Sequence, residues 1–127
     1  MMTIIFEPVA QNTIIRPMAQ AISLARGGEK ITYIDTADKK EKTVGERDLD
    51  WLNLKAEIKG RQVPVQASLV TLRAKQDPIQ VLVLVNDVTV KITSKTTVQQ
   101  AMAQFHKKYA AQNRVMKNVF RSRQRES

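Results

Sequence analysis

The segment Ile79–Val85 constrains the fold most strongly, because apolar residues occupy nearly every one of its positions. Successive side chains of an extended strand point to opposite faces, so Val81 and Val83 share one face while Leu82 and Leu84 share the other. A strand that is apolar on both faces is typical of the interior of a sheet covered on both sides. The sequence therefore predicts a central strand with other elements packed against both of its faces.

A β-hairpin is predicted to include this central strand. Asn86-Asp87 form a two-residue turn of residue types that tolerate a positive φ, and residues 88–92 alternate between apolar and polar side chains behind it.

Strict alternation over residues 52–59 predicts a second hairpin, upstream of the first. Gly60-Arg61 is its predicted turn, and residues 63–69 are predicted to return as the partner strand. Pro64 indicates that this partner is an edge strand or contains a bulge, because proline cannot donate a ladder hydrogen bond.

The N-terminal part of the chain contains a strand and a short helix. Residues 3–6 are β-branched or aromatic, which predicts a strand. A helix is predicted to begin around Pro17 and to end at Gly27-Gly28. Residues 31–34 are predicted as another strand, and the charged stretch 35–42 as a loop.

A long helix is predicted at the C-terminus. Thr96 or Thr97 precedes Gln99 or Gln100 by three residues, which is the spacing of a capping box. No Gly or Pro interrupts the chain from there to Arg121, so the helix is predicted to be longer than a small domain is wide.

These elements predict one α+β domain, with a mostly antiparallel sheet of two hairpins, a short N-terminal helix and a long amphipathic basic C-terminal helix. A chain of 127 residues is the usual size of a single domain. We expect residues 1–105 to form the sheet domain, including the start of the long helix. Residues 106–127 are then a basic helical extension and tail of the same domain.

The positive charge is concentrated at the C-terminus. The chain carries a formal charge of +9, and residues 101–127 contain seven Lys and Arg but one acidic residue. A local block of cations attracts polyanions, which scattered charges do not. At 100° per residue, the cations at positions 107, 114, 117, 121 and 125 fall on one side of the helix, where they could follow a phosphate backbone.

The predicted phosphate contacts lie in three places: on the basic side of the long helix, in a flexible arm at positions 123 and 125, and in a second patch on the upstream hairpin. Their residues are Lys107, Lys108, Arg114, Lys117, Arg121, Arg123, Arg125, Lys55 and Lys59. The alternative is that the helical cations are solvated charges of an ordinary surface helix, since the macrodipole favours basic residues near a helix C-terminus.

The apolar side of the same helix has two interpretations. It consists of Met102, Phe105, Tyr109, Met116, Val119 and Phe120. Positions 102, 105, 109, 112, 116 and 119 are spaced alternately by three and four residues, with Gln112 as the polar member. This is the spacing of a heptad seam, which would form a homodimer interface. A helix packed along a sheet produces the same stripe, so core packing is the alternative.

Trp51, the only tryptophan, also has two interpretations. It is predicted either to pack beneath the first helix or to anchor a protein partner or stack on a base.

Few residues suit catalysis. The chain has no Cys and one His, and His106 has no acid nearby in sequence to orient it as a base. Glu46, Asp48 and Asp50 could hold a cation, but they are interrupted by Arg47 and lack the pattern of a calcium loop, so we expect solvated charges. We therefore expect no enzyme activity, no metal and no cofactor.

The leading hypothesis is a non-enzymatic nucleic-acid-binding protein that contacts phosphates without strong sequence readout. The alternative is a structural or adaptor protein whose long helix forms a homodimer or docks an acidic protein. No apolar run approaches the ~18 residues of a membrane span, and the N-terminus lacks a signal-peptide pattern. We expect a cytoplasmic protein with no membrane partner.

Overall fold

The computed structural model of the chain describes residues 2–8 and 13–126, with side chains described through residue 112. In this part of the chain, three α-helices and seven strands form a mixed fold. The main sheet is mostly antiparallel, as predicted. The helices are α1 (Ile15–Ala25), α2 (Ala67–Gln76) and α3 (Val98–Glu126), with a short 3₁₀ helix at Glu46–Leu49. The strands are β1 (Met2–Phe6), β2 (Ile31–Ile34), β3 (Glu41–Val44), β4 (Leu54–Ile58), β5 (Arg61–Val65), β6 (Ile79–Val85) and β7 (Val88–Ile92).

Five strands form the main sheet in the order β5-β4-β1-β6-β7, and β2 and β3 form a separate two-stranded sheet. β1 pairs with β6 in parallel, whereas the other neighbouring strands are antiparallel. The predicted central strand is therefore an interior strand, β6, between β1 and β7.

The core lies on one face of the main sheet. Val81 and Val83 of β6 are buried there in one cluster with Met18 and Ile22 of α1. The prediction that both faces of β6 are covered is wrong for the part of the chain that the structure describes, because the opposite face carries half-buried leucines and exposed polar residues. We call this second face the open face; it consists of Thr3, Ile5, Lys55, Glu57, Gln62, Pro64, Gln80, Leu82, Leu84, Thr89 and Lys91.

α1 ends where predicted, in a Schellman motif. The Gly28 N–H donates to the Ser23 carbonyl over 2.8 Å, and the Gly27 N–H donates to that of Leu24 over 3.2 Å. Gly27 has a φ of +74°, which favours glycine over residues with a Cβ.

The predicted return strand 63–69 is wrong beyond Val65, because the chain forms α2 from Ala67. The residues that α2 buries, Ala67, Val70 and Thr71, have helical spacing but are small or polar. Its large apolar residues, Leu69 and Leu72, are exposed, and Leu69 continued the alternation of residues 63–69 that indicated a strand.

The predicted loop 35–42 is also wrong at its end, since Glu41 and Lys42 begin β3 and pair with Ile34 and Tyr33. Val44 is the one buried residue of β3, so the strand has almost no alternating apolar pattern. The hairpin turns have residues with positive φ, at Lys59-Gly60 between β4 and β5 and at Asn86-Asp87 between β6 and β7. The first turn lies one residue earlier than the predicted Gly60-Arg61, because Arg61 already belongs to β5. Pro64 lies on β5, which is an edge strand, so the first of the two alternatives predicted for Pro64 is correct.

The predicted capping box is present at the start of α3. The Gln100 N–H donates to the Thr97 hydroxyl over 3.1 Å, and the Thr97 N–H donates to the Gln100 side-chain oxygen over 3.0 Å. The two bonds satisfy backbone groups that a helix end otherwise leaves unpaired. Arg26, just after α1, donates to the carbonyls of Ser94 and Thr96 and so holds the β7–α3 connection against α1.

Candidate nucleic-acid interface

α3 lies along the outer edge of β7. The Lys91 N–H donates to the Gln104 side-chain oxygen over 2.8 Å, and the Gln104 amide donates to the Lys91 carbonyl over 3.3 Å. One helical turn further on, the Lys108 ammonium donates to the Thr89 carbonyl over 2.6 Å. Strand and helix therefore form one continuous surface, which we call the β7–α3 surface.

The apolar side of α3 fixes the helix to the domain. Phe105 is 4% exposed and belongs to the core cluster, and half-buried Met102 packs against that cluster. Tyr109 is 39% exposed and stacks on Phe105 with ring centroids 5.5 Å apart. The other residues predicted for a dimer interface, Met116, Val119 and Phe120, lie outside the described side chains.

The predicted phosphate contacts fall into three groups. Lys107 and Lys108 are exposed on α3. Half-buried Lys55 lies on β4 and exposed Lys59 in the turn after it, so this patch is three strands away from β7. The remaining cations, Arg114, Lys117, Arg121, Arg123 and Arg125, lie beyond the described side chains.

The structure adds two cations that the sequence predictions missed. Exposed Lys91 lies on β7 beside Gln104, and exposed Lys95 lies in the connection between β7 and α3. Residues 88–125 contain nine Lys and Arg and no Asp or Glu. This run without acidic residues is visible in the sequence, and the pairing of α3 with β7 brings its described members Lys91 and Lys108 close together.

Acidic residues are concentrated elsewhere. Residues 29–50, which form β2, β3 and the 3₁₀ helix, contain seven of the 12 Asp and Glu. There the Lys42 ammonium lies 2.6 Å from a carboxylate oxygen of Asp35 and 3.1 Å from one of Asp38. The hydrogen bond from Lys42 lowers the pKa of Asp35, and the same bond raises the pKa of Lys42.

Two of the three acidic residues considered as a cation site, Glu46 and Asp48, accept local hydrogen bonds. The Asp48 carboxylate accepts the Gly45 N–H over 2.9 Å, and the Glu46 carboxylate accepts the Thr71 hydroxyl over 3.1 Å. Among the described residues, no three His, Cys, Asp or Glu side chains are grouped closely enough to hold a metal ion. His106 is exposed, and its ring forms a T-shaped contact with that of Phe105, with centroids 5.5 Å apart.

Trp51 does not pack beneath α1, so that interpretation is wrong. Its side chain is 93% exposed in the turn between the 3₁₀ helix and β4. β4 begins only at Leu54. Trp51 is therefore not part of the strand, and the alternation of side chains along the strand does not determine where its ring points.

The helices of the described segments do not combine the length and apolar character needed to cross a bilayer. Comparison with protein-family models, with curated proteins and with solved structures finds no match to the chain in any of the three.

Proposed function

We propose that this chain is a non-enzymatic, cytoplasmic nucleic-acid-binding protein that contacts phosphates through the β7–α3 surface. The observation that carries the proposal is the run of nine cations without an acid over residues 88–125. Its described members, Lys91, Lys95, Lys107 and Lys108, are all exposed. Each cation that neutralises a phosphate releases counterions, which strengthens binding to any sequence.

The geometry of α3 supports contact with an extended polyanion. The helix has 29 residues, which corresponds to a length of about 43 Å. The cations predicted for its basic side recur every one to two turns over most of that length. Lysine ammonium groups on flexible stems bind phosphates as point charges, so we propose that the protein positions itself on a backbone without reading bases strongly.

The experiment is a matched comparison of two charge variants by fluorescence anisotropy with labelled duplex DNA, single-stranded DNA and RNA. In the test variant, Lys107, Arg114, Lys117 and Arg121 are replaced by Gln. The control variant replaces Lys30, Lys39, Lys40 and Arg47 by Gln, which removes the same charge from the acidic side of the molecule. We expect the test variant to lose most of its affinity and the control variant to retain most of it. Equal losses would show a net-charge effect and contradict the proposal.

The adaptor alternative is favoured by one observation, the exposed ring of Tyr109 next to buried Phe105. If that side of α3 forms a homodimer, the solution mass is twice that of the chain, and Tyr109→Asp returns it to the monomer value. Binding of nucleic acid by the Tyr109→Asp monomer would separate the two functions.

A further inference from the structure

A single row of side chains crosses the open face from β4 to β7. Lys55 is opposite Ile5, Ile5 is opposite Leu82, and Leu82 is opposite Lys91. Directly paired residues of neighbouring strands point to the same face of a sheet. The row therefore reads lysine, isoleucine, leucine, lysine, with a cation at each border and two aliphatic side chains between them.

The distance between the two lysines is similar to the distance between the two backbones that border the major groove of a duplex. Three strand spacings of ~4.8 Å place the Cα atoms of Lys55 and Lys91 about 14 Å apart. This distance is close to the ~12 Å width of the major groove of B-DNA, and flexible lysine stems accommodate the difference. Lys55 is half-buried and Lys91 is exposed. Between them lie the half-buried side chains of Ile5 and Leu82, which we call the aliphatic floor.

The basic side of α3 continues this face. Viewed along α3, Phe105 points to the core, and Lys108 and Gln104 come next and reach the edge of β7. At 100° per residue, the next side chain around the helix in this direction is that of Lys107, about 60° beyond Gln104. Lys107 therefore lies on the side of the open face. Lys91 is therefore the point at which the open face meets the helical cations.

We propose that duplex nucleic acid lies across the open face, with one phosphate backbone at Lys91 and Lys107 and the other at Lys55. The inference rests on the proposed function and adds to it a substrate class and a second contact. None of the residues that make up the open face is aromatic, so this face offers no ring on which an unpaired base could stack. A surface of cations and aliphatic side chains recognises the shape and charge of a duplex, not separated bases.

One acidic residue opposes this contact and provides a test of opposite sign. Glu57 is exposed on the open face, two residues from Lys55 and opposite Thr3. A carboxylate beside the floor repels phosphate. Its removal should therefore strengthen duplex binding, while removal of either lysine should weaken it.

The experiment measures the affinity of the full chain for a labelled DNA duplex and for one of its strands at ~0.1 M salt. Lys55→Gln and Lys91→Gln should each weaken duplex binding about five- to tenfold, the loss of one phosphate contact. The double variant should weaken it further, and each loss should be smaller for the single strand. Glu57→Gln should tighten duplex binding, and Lys39→Gln with Lys40→Gln, far from the face, should leave it nearly unchanged. Thermal unfolding of each variant shows whether its fold is intact.

The outcomes separate this inference from the proposed function. If the α3 variant loses binding while Lys55→Gln and Lys91→Gln bind like the wild type, the open face is not a contact and the inference is wrong, although the function stands. Equal losses for duplex and single strand overturn the duplex assignment. If the wild type binds neither form, both proposals fail.

Discussion

The side-chain amide of Gln104 forms two hydrogen bonds with the backbone of Lys91, the same two that a neighbouring strand would form. It accepts from the Lys91 N–H over 2.8 Å and donates to the Lys91 carbonyl over 3.3 Å. A free edge strand is a template for aggregation, and proteins cover such edges. α3 covers the β7 edge, while Pro64, which has no N–H, lies on the opposite edge strand, β5. The contact also determines where the helical cations lie relative to the sheet.

Gln104→Ala should expose this edge. We expect faster hydrogen exchange at the Lys91 amide and a loss of about 1 kcal/mol in the free energy of unfolding, because two hydrogen bonds to a partly solvated strand disappear. Exchange measured by NMR gives the comparison, with the Val90 amide as an internal reference. Unchanged exchange at Lys91 would contradict the contact.

Phe105→Ala should detach α3 from the core. The side chain is 4% exposed, and truncation of a buried phenylalanine costs about 3–5 kcal/mol. Tyr109→Ala, four residues away at a 39% exposed position, should cost about 1 kcal/mol or less. Urea denaturation of both variants checks this order, and a reversed order would show that Phe105 is not the anchor.

The stability of the β2–β3 sheet should depend on pH through Asp35. The pKa of Asp35 lies below its ordinary value of 3.8, chiefly because Lys42 donates a hydrogen bond to it. Its stabilising contribution is therefore present above pH 3.8 and is lost as the pH falls through the pKa of the folded state. The pKa of Lys42 lies above 10.5, so its contribution is complete below that pH and is lost as the pH rises through the folded-state value.

The matching measurement is the urea midpoint at pH 7 and at a pH below 3.8. The wild type should lose more stability on acidification than Asp35→Asn, which has no carboxylate to protonate. Asp50→Asn, at an exposed position, serves as the control and should behave like the wild type. Identical acid sensitivity of all three proteins would contradict the role of the pair.

Trp51 should report its exposure through fluorescence. A ring that is 93% exposed is surrounded by water in the folded protein as well as in the unfolded one. The emission maximum should therefore shift little on unfolding, and a soluble quencher such as acrylamide should reach the folded-state indole readily. A large red shift on unfolding would mean that the indole is buried.

Local sequence signals predicted several elements well. The glycines after α1, the Thr97–Gln100 capping box and the Asn86-Asp87 turn each act through backbone conformation or hydrogen bonds over a few residues. Such signals do not depend on the rest of the fold. They predicted the end of one helix, the start of another and the reversal between β6 and β7.

Elements that depend on tertiary contacts were missed. α2 buries small residues and exposes Leu69 and Leu72, so its periodicity is weak. The aliphatic side chains of Leu82 and Leu84 predicted a second covering layer, although their half-buried state needs only neighbours within the sheet. Similarly, Lys91 could not be assigned to the candidate interface before the pairing of Gln104 with β7 was known.

The most direct test of the central claim is the salt dependence of duplex DNA binding by the full chain. Affinity from fluorescence anisotropy, plotted as log K against log salt concentration, should fall linearly, with a slope of about −0.9 for each phosphate contact. The β7–α3 surface predicts a slope equivalent to several contacts. The slope should become shallower in the variant in which four cations of α3, Lys107, Arg114, Lys117 and Arg121, are replaced by Gln. A slope near zero, or no binding even at low salt, would contradict the claim that this surface binds phosphates.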